Sequence, residues 1–199
     1  MNYSQNYDSW KTLPDMFFSK ADELVDKPLF WGKSNDGWKS ITWSESRSDI
    51  SALATGLISI GVKPGDRVVL ISENRPEWPI ADLAIMSAGA FTVPAYTTNT
   101  IDDNIHILND SGAEVVIVSS QKLAQNVIPA ANEVDNVKTI ISMEKLIKKL
   151  LIVFFIISCS LSALIPLLVQ KKKHPLQESE FPLLILKLQI VGSQMPSGI

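Results

Sequence analysis

With 199 residues, 46% of them hydrophobic and 20% charged, the chain has the composition of a soluble globular protein and enough length for one ordinary domain with a real core, or for a piece of something larger. A formal net charge of -3, with no basic stripe interleaved with aromatics, argues against a nucleic-acid partner. One cysteine, Cys159, excludes an internal disulfide and a cysteine-rich metal site, and two well-separated histidines, His106 and His174, make a histidine-based metal site improbable.

The polar N-terminus, MNYSQNYDSW, carries no basic, apolar signal peptide, so the front of the chain reads as cytoplasmic. Residues 12–25 (TLPDMFFSKADELV) predict a helix, with Thr12 as N-cap, Pro14 in the first turn and Asp15 complementing the dipole. Two short strands, 29–31 and 38–43, flank the turn residues Ser34, Asn35, Asp36 and Gly37 as a hairpin. A helix then runs to about Ile60, with Ile50, Leu53, Ala54, Leu57 and Ile58 as its buried stripe and Gly61 closing it.

Residues 67–100, RVVLISENRPEWPIADLAIMSAGAFTVPAYTTNT, organise the rest. An apolar run (Val68, Val69, Leu70, Ile71) passes through a polar turn into a helix that starts at Pro76 and Glu77 and stops at Gly89, and a second apolar run follows. Two strands joined through a helix are expected to be parallel, with a right-handed crossover. The theme repeats with helix 101–108, strand 115–118, helix 121–134 and strand 137–141. The fold class expected is α/β, a partial doubly wound parallel sheet over residues 67–141.

The pattern stops at about residue 144. The first 143 residues hold 11 basic and 18 acidic side chains, a net of -7, whereas the remainder holds seven lysines and three glutamates, a net of +4. Residues 150–169, LLIVFFIISCSLSALIPLLV, carry no charge and are long enough to span a membrane, with lysines on both sides. A membrane anchor, a buried helix and out-of-frame text are the three readings of this run. The last is favoured, because Pro166 and the all-round apolarity disfavour a core helix and the flanking lysines leave an anchor without a defined orientation.

On these residues the chain resembles a known family. SENRPEWPIADLAIMSAGAFTVPAYTTNT, with ITWSES and GLISIGVKPGDRVVL upstream and ILNDSGAEVVIVS downstream, is similar to the N-terminal part of the AMP-forming acyl-CoA synthetases, most of all the bacterial long-chain fatty-acid–CoA ligases. Residues 1–143 are then the first part of an AMP-binding domain, and 144–199 an atypical tail. The resemblance implies ATP, Mg and CoA as cofactors and a fatty acid as substrate, with an acyl-adenylate between the two half-reactions. It also implies that most catalytic motifs lie downstream in longer relatives, so that no catalytic residue is assigned here and this chain alone is expected to be inactive. Gly192, Ser193, Pro196 and Gly198 look like a degraded copy of the family's phosphate loop, with Ser197 where lysine is common. A reading frame lost near Met143 and recovered near Val191 would account for both the tail and this remnant. The reading from another class is a membrane-anchored, non-catalytic α/β binding module, held through residues 150–169.

Among the remaining polar residues, Glu73, Asn74 and Arg75 sit where α/β proteins place ligands, but are expected to cap and orient the helix after them. Residues 94–98 (PAYTT) are expected to end a strand and satisfy local backbone. Adjacent Asp102 and Asp103 point about 100° apart on a helix, so dipole complementation is expected rather than a paired-carboxylate site. The five tryptophans, 10, 31, 38, 43 and 78, read as packing.

Overall fold

A threonine or serine hydroxyl opens four of the five helices among the described residues, and these caps set most of the element boundaries. The structure is a computed structural model that describes residues 9–34, 36–144 and the strand at 184–187. In chain order the elements are α1 (Leu13–Leu24), the hairpin strands β1 (Pro28–Ser34) and β2 (Gly37–Thr42), α2 (Trp43–Ser59), β3 (Arg67–Ile71), α3 (Glu77–Ser87), β4 (Phe91–Ala95), α4 (Ile101–Ser111), β5 (Val115–Val118), α5 (Gln121–Asn132), β6 (Thr139–Ser142) and β7 (Leu184–Lys187).

The caps explain themselves chemically. Thr42 accepts from the Glu45 amide while the Glu45 carboxylate takes the Thr42 amide, a reciprocal box that Thr100 and Asp103 repeat at α4. Asp103 is therefore a capping residue, in agreement with its expected role at the helix N-terminus. α3 has no side-chain cap and begins after Pro76, whose missing N–H leaves one donor fewer to satisfy. It ends at Gly89, φ +80°, where a Cβ would lie 3.1 Å from Pro64 Cβ and 3.2 Å from its Cα, so both the conformation and the space require glycine.

The sheet order is β4-β3-β5-β6-β7, parallel through β6. Val68, Leu70, Val115, Ile117 and Ile141 face Leu57 of α2 and Ala81 and Ile85 of α3. Val69, Ile71, Val116, Val118 and Ile140 face α4 and α5 through Leu108, Leu123 and Val127. Because both faces are covered, the strands read as continuous apolar runs rather than alternating ones. A third cluster, with Phe17, Ile50, Ala54, Ile80 and Ala84, seats α1 and the hairpin on α2 and α3. The expected doubly wound sheet is present, with its last strand starting at Thr139 rather than Val137, which is buried just before it.

Three features depart from the sequence reading. Ile58, expected in the buried stripe of α2, is 55% exposed, because it lies about 100° round the helix from the fully buried Leu57. β7 pairs antiparallel with β6, so the sheet extends beyond residues 67–141, over which the sequence reading placed it. Trp43 stacks on Phe17 and Trp78 packs against the second cluster, but Trp31 and Trp38 are 57% and 66% exposed and do not pack inward. Residues 150–169 lie outside the described residues; among those described, no helix is long and apolar enough to cross a membrane.

Candidate functional site

In this sheet the chain leaves β3 for β4 on one side and leaves β5 for β6 on the other, although β3 and β5 are neighbours. The helices that follow them, α3 and α5, pack on opposite faces. The crevice between the loops after β3 and β5 is thus the topological switch point, the position where open α/β sheets bind ligands.

What occupies it is a side chain of the protein. Glu73, in the loop after β3, reaches across to the loop after β5 and accepts hydrogen bonds from the fully buried Ser119 hydroxyl and, at 3.1 Å, from Ser120 Oγ. Ser120 is also the N-cap of α5, accepting from the Leu123 amide. A carboxylate therefore stands at the helix N-terminus, where unpaired amides and the dipole favour an anion. Burial pushes the Glu73 carboxyl up, but the Ser119 hydroxyl, its own amide, Ser120 and nearby Arg75 outweigh that and hold it below the ordinary range.

Beside the switch point, Arg75 forms a two-pronged pair with Glu77, at 2.8 and 3.2 Å, and its other nitrogen donates to Glu144 at 2.8 Å. The Arg75 hydrogen bonds lower the Glu77 pKa against its burial. Arg75 thus braces the start of α3 through Glu77, but the capping expected of Glu73, Asn74 and Arg75 is absent, since α3 has no side-chain cap, and Glu73 instead ties two strand-end loops together. These groups form one wall of an open cleft of about 960 Å3, whose other wall is the hairpin, including Phe30, Gly32 and Ile41.

Asp49 on α2 completes the acidic surroundings. It is only 9% exposed, and burial, with Glu45 and Glu77 adding repulsion, raises its pKa from 3.8 to about 6. The native state then holds this proton more tightly than the unfolded chain, so stability falls as pH rises from about 4 to about 6 and stays lower above that. Asp49→Asn is expected to raise stability by about 1 kcal/mol at pH 7.5 and to change nothing below pH ~4, as read by urea unfolding at the two pH values. An equal gain at both would sink the assignment.

The candidates read from sequence fall as follows. Gly192, Ser193, Pro196 and Gly198 lie outside the described residues. The 94–98 stretch ends β4 with Tyr96 80% exposed, and His106 is exposed on α4. Ser119, Ser120, Asp49 and Glu144 were not singled out by sequence. Ser120 had a signal, a serine between a β-branched strand and a helical pattern, which is the N-cap signature.

An ATP–Mg group does not fit the described switch point. The Ser119 and Ser120 hydroxyls at the start of α5 already hold a carboxylate that would repel a phosphate, and no cluster of metal-ligating side chains occurs among the described residues.

The family model of the AMP-binding enzyme matches residues 17–153. The chain belongs to this family. It is similar to the long-chain-fatty-acid–CoA ligase FadD15 of Mycobacterium tuberculosis, 38% identical over 125 residues that make up 60% of this chain and 21% of that protein. It is similar also to the long-chain-fatty-acid–CoA ligase heimdall of Drosophila melanogaster, 30% identical over 58% of this chain and 18% of that protein. Among solved structures, a benzoate CoA ligase from Burkholderia xenovorans superposes with a TM-score of 0.59 at 27% identity, covering 66% of this chain and 25% of that one. The chain thus spans about a fifth of the length of these two ligase relatives. The doubly wound sheet of this chain is the N-terminal subdomain of the adenylate-forming fold.

Proposed function

We propose that residues 1–143 are the N-terminal scaffold of a long-chain fatty-acid–CoA ligase. Such an enzyme joins a fatty acid to the α-phosphate of ATP, releasing diphosphate, and then transfers the acyl group to the CoA thiol, releasing AMP. The observation that carries this reading is the similarity to FadD15, which spans 125 residues at 38% identity. The role is scaffolding because the crevice that could take a phosphate is filled by Glu73.

Exchange of parts tests the reading. A FadD15 chimera carrying residues 17–144 of this chain in place of its own matching segment is expected to retain fatty-acid-dependent exchange of diphosphate into ATP. A chimera that folds but has lost that exchange would overturn the proposal. The 199-residue chain, incubated with ATP, Mg and a long-chain fatty acid, is expected to form no acyl-adenylate. Detection of acyl-adenylate by mass spectrometry would show that the missing phosphate site is supplied elsewhere in the chain.

A further inference from the structure

We propose that the peptide step Asp36–Gly37, at the tip of the β1–β2 hairpin, is a site of spontaneous covalent modification, where aspartate converts to isoaspartate through a cyclic imide. It is the single Asp–Gly step in the 199 residues, and it falls where Ser34 pairs with Gly37 to close the hairpin. In the first reaction the Gly37 nitrogen attacks Asp36 Cγ. A C–N bond forms, the amide proton and the carboxyl hydroxyl leave together as water, and a succinimide ring remains. Water then opens the ring. Attack at Cγ restores aspartate, whereas attack at the Asp36 main-chain carbonyl leaves the backbone running through Cβ and Cγ beside a free α-carboxylate. The water lost in closure is regained in opening, so the conversion needs no oxidant, cofactor or enzyme.

Ring closure requires a nitrogen that nothing crowds. Gly37 has no Cβ, and even one built on it would meet nothing within 4 Å. Closure also requires a carboxyl free to turn. The Asp36 side chain is 83% exposed, and its ion pair with Lys39, at 3.7 Å, is too loose and too exposed to hold it in place. The Ser34 hydroxyl donates to the Gly37 carbonyl at 2.9 Å, so it engages that residue's oxygen and not the attacking nitrogen. Helical aspartates lack these conditions. After Asp82 in α3 and Asp110 in α4 the next amide belongs to the helix ladder, and imide closure there would break a turn of helix. At the hairpin the product has a structural consequence, because it adds a backbone atom where the turn sets the register. That register seats Phe30 and Ile41 on the cluster of α1, α2 and α3, and holds Gly32 against Pro76.

The inference stands apart from the ligase reading, and its test contains neither ATP nor CoA. The 199-residue protein is kept folded at neutral pH and physiological temperature for several weeks, with circular dichroism as the check on folding. Samples are then labelled with isoaspartyl methyltransferase and radioactive S-adenosylmethionine, which esterifies the displaced α-carboxylate. Label is expected to rise with time. Mass spectrometry of the peptide spanning Asp36 is expected to show a second isomer of unchanged mass, preceded by an imide lighter by one water. Asp36→Glu keeps the charge but would have to close a larger ring, and is expected to lose both the isomer and the imide from this peptide. Asp110→Glu is expected to change neither. A peptide spanning Asp36 that stays a single isomer in the folded protein would overturn the proposal, even if the urea-unfolded chain converts, because the hairpin would then protect the step. Label undiminished in Asp36→Glu would overturn it as well, by placing the reactive aspartate elsewhere.

Discussion

Leu70→Ala is expected to cost about 2–5 kcal/mol of unfolding free energy, the largest loss among the substitutions considered. Leu70 is fully buried on β3, which lies between β4 and β5, and its side chain belongs to the cluster shared with Leu57 of α2 and Ala81 and Ile85 of α3. Truncation removes the transfer free energy of the lost methyl groups and leaves a cavity between a sheet and two helices that cannot close it without moving together. Against a whole-domain stability of roughly 5–15 kcal/mol, that is a large fraction. Urea unfolding should show the midpoint falling with an unchanged slope. Ile58→Ala, at a position 55% exposed on α2, is the control and should stay within about 0.5 kcal/mol of wild type. A Leu70→Ala loss below about 1 kcal/mol would contradict the burial of β3 between β4 and β5.

That β3 is a strand of the parallel sheet was legible from Val68, Val69, Leu70 and Ile71, because a continuous apolar run between turn residues suits a strand covered on both faces. Boundaries were legible where one residue carries the reason for them: Thr12 at the start of α1 and Gly89 after α3. Contacts set by tertiary pairing were not legible. The bond between Glu73 and Ser119 joins residues 46 apart and forms only after β3 and β5 have become neighbours. β7 is an apolar segment with no alternation and no punctuating turn, so nothing local fixes its partner or its direction. For Trp31 and Trp38 the error came from residue type: tryptophan is usually well covered, and only the hairpin register reveals which face each indole takes. The same division explains the site. Its family was legible in a stretch of sequence, whereas the carboxylate that fills its crevice was visible only in the folded chain.

Glu73→Ala is expected to destabilise the chain by about 1–2 kcal/mol at pH 7, since it leaves the buried Ser119 hydroxyl without its acceptor and unties the loops at the ends of β3 and β5. The pH dependence separates this from a generic packing loss. The folded-state pKa of Glu73 lies below its ordinary 4.5, so the unfolded chain binds this proton more tightly than the native state. The carboxylate's contribution is therefore complete above the unfolded-state value and is lost as pH falls through the folded-state value. The gap between wild type and variant should accordingly be widest at neutral pH and narrow under acid conditions, in unfolding curves collected across that range. Glu73→Gln, which keeps an acceptor oxygen without the charge, should recover part of the loss and show no such narrowing. A gap between wild type and Glu73→Ala that stays constant with pH would mean that the ionised carboxylate does not hold the two serines, and the reading of the switch point as self-occupied would fall with it.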